Sequence, residues 1–155
     1  MIKFCLNQWN KNKDKLEKVI QNDKNLNGCN YEYLVKLVVE NILNDEDSDY
    51  GDKYNSKAIT VIDNGDYQGT QLFMIPTETY QPCEYEYLLT YQGYGSCSGC
   101  DTLQSIQDYH YDELPDDEQA KGFMSLCKDL VCNMIKPYNT GWRDSDKYSV
   151  VEIEV

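Results

Sequence analysis

Between Tyr31 and Leu43 two apolar rows run side by side, Leu34, Val38 and Ile42 in one and Val35, Val39 and Leu43 in the other. At helical spacing they form one broad face that has to be covered by other elements. That segment commits the chain to a packed core around a central helix. With 155 residues and 41 % apolar side chains, there is material for one such core. There is too little for a barrel enzyme or two full α/β units. A single domain over residues 1–155 is expected.

The rest of the pattern supplies partners for that helix. A first helix is expected within about Leu6 to Asn22, where Leu6, Trp9, Leu16 and Ile20 follow helical spacing. Lys13 interrupts this stripe, and Ile2, Phe4 and Leu6 also alternate as a strand would. Asn25 to Asn30 reads as a turn and Asn44 to Lys53 as an acidic loop. Strands are expected at Ala58–Ile62, at Thr70–Ile75 before Pro76, and at Glu84–Tyr91. Alternation in the third places Tyr85, Tyr87, Leu89 and Tyr91 on one face. The short Gly65–Gly69 turn makes the first two strands antiparallel. Asp101 opens a further helix as N-cap, with Gln104 as its capping-box partner. A long helix is expected over roughly Asp116 to Ile135, with the stripe Phe123, Cys127, Leu130 and Met134. Pro115 suits its start, Asp116 to Glu118 suit the positive end of its dipole, and Pro137 stops it. Tyr148 to Val155 alternates as a final strand. The expected class is α+β, an antiparallel sheet of about four strands packed with three or four helices.

Charge is unevenly spread. The formal net charge is −13, and no Lys or Arg lies between Lys57 and Lys121. That stretch holds twelve acids: Asp63, Asp66, Glu78, Glu84, Glu86, Asp101, Asp108, Asp112, Glu113, Asp116, Asp117 and Glu118. Residues 1–57 hold nine bases and ten acids, and residues 121–155 hold five of each. A field of this sign repels nucleic acid and anionic membranes and favours cations or basic proteins. The single arginine, Arg143, also argues against phosphate recognition. Eight of the fourteen tyrosines fall in the same block: Tyr67, Tyr80, Tyr85, Tyr87, Tyr91, Tyr94, Tyr109 and Tyr111. Tyrosine offers large contact area at small entropic cost and is enriched in binding surfaces. The bland alternative is that some of these rings are core and the acids only solubilise.

The densest stretch is Gly93-Tyr-Gly-Ser-Cys-Ser-Gly-Cys-Asp101, a strand-to-helix loop with a Cys-x-x-Cys pair at Cys97 and Cys100. Four readings stand open. In redox chemistry, a nearby helix N-terminus would favour a thiolate, whereas Asp101 next door would oppose it. Zinc would need two further ligands, with Cys83 and His110 the candidates beside Cys97 and Cys100. Cys127 belongs to an apolar stripe and reads as a buried free thiol, and Cys132 points away from it. An anion-binding loop would use exposed backbone N–H groups, or the same glycines could frame a small-ligand or hydrolytic site. The loop lacks the lysine and spacing of a P-loop. The fourth reading is a structural turn with no chemistry. Seven cysteines at irregular spacing suit a reducing compartment and free thiols better than a disulfide framework.

Other motifs carry less. Asp45, Asp47, Asp49 and Gly51 imitate a calcium loop, but the sixth position is Tyr50 and the twelfth is Ser56. Asp63 and Asp66 read as turn formers. His110 is the only histidine, so any Ser-His or Cys-His catalysis would have to use it, and its acidic, aromatic setting reads as surface. No apolar run reaches the length of a membrane span, and no signal-peptide pattern opens the chain, so a cytoplasmic protein is expected.

The segment Glu84 to Gln104 with its Tyr-Gly-Ser-Cys-Ser-Gly-Cys-Asp-Thr-Leu-Gln core resembles a family of small, acidic, uncharacterised proteins of tailed phages of low-GC bacteria. Asp66–Thr70, Leu126–Asp129, Ile135–Tyr138 and Trp9–Leu16 are similar to it as well. The resemblance implies an accessory protein acting in the cytoplasm of a host cell, without implying an activity or site residues. The charge map leads to the expectation of a non-enzymatic protein that uses its acidic, Tyr-rich surface, in the manner of a DNA mimic, to bind and inhibit a basic protein. The phage resemblance implies that this partner is a host protein, such as a nucleic-acid-handling or CRISPR-type defence nuclease. No cofactor is expected. Binding is assigned to Tyr94, Tyr109, Tyr111, Asp108, Asp112, Glu113, Asp116, Asp117 and Glu118. The alternative is a zinc-binding or thiol-dependent module on Cys97 and Cys100.

Overall fold

The computed structural model describes residues 3–48 and 52–137. Four α-helices are described, α1 (Lys3–Gln21), α2 (Tyr31–Val38), α3 (Thr102–Gln107) and α4 (Asp117–Cys132). The antiparallel sheet holds β1 (Thr60–Asp63), β2 (Gly69–Pro76) and β3 (Tyr87–Tyr94) in that order. The class is α+β as expected, with three strands among the described residues and the tail Tyr148–Val155 outside them.

The central helix forms as its apolar rows require. Asn30 caps it by accepting from the Tyr33 amide, and all six row residues are buried. Its last turn, Val39–Leu43, is widened to π geometry. Carbonyls at that end meet α1, whose Gln8 Nε2 donates to Leu43 O at 3.1 Å and whose Asn12 Nδ2 donates to Ile42 O at 2.9 Å. This explains why α1's apolar stripe is interrupted near Lys13: the polar face there is a seam to α2. Helix α1 begins earlier than expected. Its buried face runs through Cys5, Trp9, Leu16 and Ile20, and Leu6 is exposed.

The seam continues onto Asp45. Its carboxylate accepts from Gln8 Nε2 at 3.0 Å, Lys11 Nζ at 2.9 Å and Asn12 Nδ2 at 3.2 Å. These donors, the Gln8 amide first, hold Asp45 below the ordinary aspartate value of 3.8. A depressed folded-state pKa contributes stability above the unfolded value and loses it as pH falls through the folded one. Asp45→Asn is therefore expected to cost about 0.5–1 kcal/mol at neutral pH, as for a partly screened pair. The cost should shrink towards zero below pH 3.8 in urea melts compared across pH.

Register in the sheet is Thr60↔Met74 to Asp63↔Gln71 and Gly69↔Tyr94 to Pro76↔Tyr87. Tyr87, Leu89 and Tyr91 share the less buried face of β3, the common face that their alternation predicts. Leu88 and Thr90 are buried, and Tyr91 is exposed. A buried threonine is tolerable here because its Oγ1 donates to Leu130 O of α4 at 2.6 Å. The strand also starts later, at Tyr87. Glu84–Glu86 form a single 3₁₀ turn in which the Cys83 amide donates to Glu86 Oε2 at 2.7 Å.

Helix α4 buries Phe123, Cys127 and Leu130 of the expected stripe, and Met134, also buried, lies just past its end. The helix ends at Cys132, earlier than expected, because Ile135 exchanges two backbone hydrogen bonds with Leu89 at the β3 edge, at 2.7 and 2.8 Å. Pro137 favours that extended path for the residue before it. Residues of all four helices, β2 and β3 meet in one apolar core. No described helix is long and apolar enough to cross a membrane.

Candidate functional site

The expected binding residues lie in the connection from α3 to α4, shaped by a buried amide network. Gln119 Oε1 accepts from the Asp116 amide at 3.1 Å, and Asp116 Oδ1 accepts from the Gln119 amide at 2.8 Å, which closes a capping box on α4. Gln119 Nε2 donates to Asn27 Oδ1 at 2.9 Å and to Ile106 O at 3.0 Å. Asn27 Nδ2 donates onward to Glu113 O at 3.1 Å. Gly122 lets the two helices meet, since a Cβ there would stand 2.9 Å from Ile106.

The loop held this way turns through three left-handed, non-glycine residues, Asp108 (φ 40°), Tyr109 (φ 62°) and Asp112 (φ 61°). Aspartate tolerates this region, whereas a tyrosine is strained in it. The result is an outward display. Tyr109 and Tyr111 are 75 % and 64 % exposed, with ring centroids 6.4 Å apart in an edge-to-face pair.

The acids divide into two groups. Asp108, Asp116 and Glu118 line a cleft of roughly 410 Å³ together with His110, and among the described residues no Lys or Arg lines it. Asp112 faces a second cleft shared with Lys24 and Tyr33. The expected continuous acidic face is thus narrower than the sequence run. His110 Nδ1 lies 3.2 Å from Glu113 Oε2. Lys11–Asp45 and Lys36–Glu32 pair outside the central acidic block, while the Glu86 carboxylate within it acts on the half-buried Lys136.

Tyr94 is separate from this loop in role. Its hydroxyl donates to Asp63 Oδ1 at 2.6 Å, tying the ends of β3 and β1. That bond raises the Tyr94 phenol to about 12 and holds Asp63 down, with help from the Gly65 amide and Gln71.

In the cysteine loop, Cys97 and Cys100 are exposed, with sulfurs 2.8 Å apart. Cys83 and His110 do not join them: among the described residues no three His, Cys, Asp or Glu side chains group as metal ligands. Cys83 precedes β3, and Cys97 follows its far end. The loop is closed on itself instead of open around a ligand. Gly95 N donates to Asp101 Oδ2, Cys97 N to Cys100 Sγ, and both Cys100 N and Asp101 N to Cys97 O. These amides are the ones an anion would have needed. Asp101 caps α3 as expected, accepting from the Gln104 amide at 2.9 Å. The Gln104 side chain does not complete a capping box; it donates to Gly95 O at 3.3 Å. The inward aim of Asp101 was not readable from sequence, although Tyr31 at the start of α2 was available as its partner.

No protein-family model, curated protein or solved structure matches the chain.

Proposed function

We propose that the protein is a non-enzymatic interaction protein that uses the α3–α4 loop to occupy a basic surface of a host protein, of the kind that handles nucleic acid. The observation that carries this reading is the pair Tyr109 and Tyr111, displayed on a strained backbone beside a cleft whose charged walls are Asp108, Asp116 and Glu118. Folding alone gains nothing from a left-handed tyrosine in solvent, so its strain points to an external use. The surrounding carboxylates would steer a cationic partner in, and the rings would then bury against it and block nucleic acid sterically. A phage accessory role, including anti-defence activity, is the biological setting that fits this mechanism.

The test is affinity capture from bacterial lysate followed by titration of the captured protein. The comparison variant combines Asp108→Asn, Asp117→Lys and Glu118→Lys and leaves the capping Asp116 intact. Capture of a basic protein, weakened at least tenfold by the variant and falling with added salt, is expected. Capture that ignores both salt and the variant would overturn the reading. A partner that still binds its nucleic acid while captured would overturn the inhibitory half of it.

A further inference from the structure

The turn that carries Cys97 and Cys100 brings together more than its spacing required. Cys100 N and Asp101 N both donate to Cys97 O, at 2.9 and 2.8 Å, and this tight turn sets the two sulfurs 2.8 Å apart on the surface. Cys97 N donates to Cys100 Sγ at 3.1 Å. Gly95 leaves room for that sulfur, because a Cβ there would collide with the Cys100 carbonyl and Sγ. The Asp101 carboxylate, the sequence's argument against a reactive thiol, is 5 % exposed and turned inward. It accepts from Gly95 N at 3.0 Å, Gln104 N at 2.9 Å and the Tyr31 hydroxyl at 3.3 Å. Its charge is therefore compensated on the far side of the turn.

We propose that Cys97 and Cys100 form a thiol–disulfide exchange site, with Cys100 as the attacking sulfur and Cys97 as the resolving one, acting on disulfides of the glutathione type. Cys100 thiolate attacks one sulfur of the disulfide; a Cys100–S bond forms, the substrate S–S bond breaks, and one thiolate leaves and takes up a proton. Cys97 loses its proton to solvent and attacks Cys100 Sγ. The Cys97–Cys100 bond forms, the mixed disulfide breaks, and the second sulfur leaves as a thiolate that takes up a proton from solvent. The protein loses two electrons, and the disulfide becomes two thiols. The hydrogen bonds from Cys97, its side chain first and then its amide, hold the Cys100 thiol below its ordinary value, as an attacking sulfur requires. By contrast, burial pushes the Cys5 and Cys29 thiols up to about 12 and raises Cys127 as well. The site stands on an antiparallel strand and a six-residue helix, so it owes nothing to a thioredoxin-like βαβ unit. It is also independent of the proposed interaction loop.

The full chain is equilibrated with reduced and oxidised glutathione in graded ratios, trapped by alkylation and read by peptide mass spectrometry. Cys83, exposed ahead of β3, is the internal reference. The expected result is an internal 97–100 disulfide without accumulated glutathione adduct in the native chain. In Cys97→Ser, a stable glutathione adduct should form on Cys100 several-fold faster than on Cys83. In Cys100→Ser, Cys97 should react no faster than Cys83. Three results would each overturn the proposal: both thiols remaining alkylatable in fully oxidised glutathione, equal rates at Cys100 and Cys83, or tightly bound zinc that protects the pair. Matching far-UV spectra for both variants exclude unfolding as the cause.

Discussion

Replacing Asp101 by alanine is expected to lower the stability of the protein by about 2–4 kcal/mol. The N-cap bond to Gln104 accounts for about 1 kcal/mol of that. The larger part comes from what the deletion leaves behind. The Gly95 amide and the Tyr31 hydroxyl lose their acceptor in a buried place, and each unsatisfied group costs about 1–3 kcal/mol. Tyr31 still accepts from Leu103 N at 3.2 Å, which is why the estimate stops short of the full sum. Burial first, and the neighbouring Asp101 carboxylate with it, raises the Tyr31 phenol to about 12. A raised folded-state value means that this contribution is fully present below the unfolded value of 10 and is lost as pH rises through about 12. Denaturant melts should show the loss in Asp101→Ala at neutral pH, with an unchanged slope. Asp101→Asn, which keeps one acceptor, should recover part of it. A loss under about 1 kcal/mol in Asp101→Ala would mean that the turn is held by its backbone alone.

Asp101 also marks the limit of what the amino-acid sequence tells. Its capping of α3 could be read from its place before Thr102 and Leu103, because an N-cap is a local event. That its second oxygen reaches Gly95 and Tyr31 could not, because Tyr31 lies seventy positions away. The same division recurs elsewhere. The interiors of α1, α2 and α4 were legible from their apolar period, as were the Tyr31 start of α2 and the Asp116 cap of α4, but the start of α1 and the end of α4 were not. Leu6 gave way to Cys5 at one end, and Ile135 left α4 to join the sheet at another. The strand at β3 was legible as alternation, but which of its faces turns inward was not, since the burial of Thr90 rests on one hydroxyl bond to a helix forty positions away. For the candidate site, the charge asymmetry was plain in sequence. The separation of Asp112 from Asp108, Asp116 and Glu118 came from left-handed turns and from the Asn27–Gln119 contact, which no local pattern encodes.

The strongest separation of stability from binding is expected at Tyr109 and Tyr111. The double variant Tyr109→Ala Tyr111→Ala should bind the captured partner about 100-fold or more weakly, the effect of removing two aromatic anchors from the centre of an interface. Its folding stability should change by less than about 0.5 kcal/mol, because both rings stand in solvent. Tyr109→Gly sharpens the comparison. With φ at 62°, Tyr109 carries strain that glycine does not. That relief, about 1–2 kcal/mol, works against the roughly 0.5–1 kcal/mol of extra chain entropy that glycine loses on folding. The glycine variant should therefore be as stable as the parent or slightly more so, while binding falls at least tenfold. A residue held in place for packing would show the opposite, with stability lost and affinity kept whenever the protein is folded. Parent-like affinity in Tyr109→Gly would remove the aromatic pair from the interface and leave the carboxylate cleft to account for binding unaided.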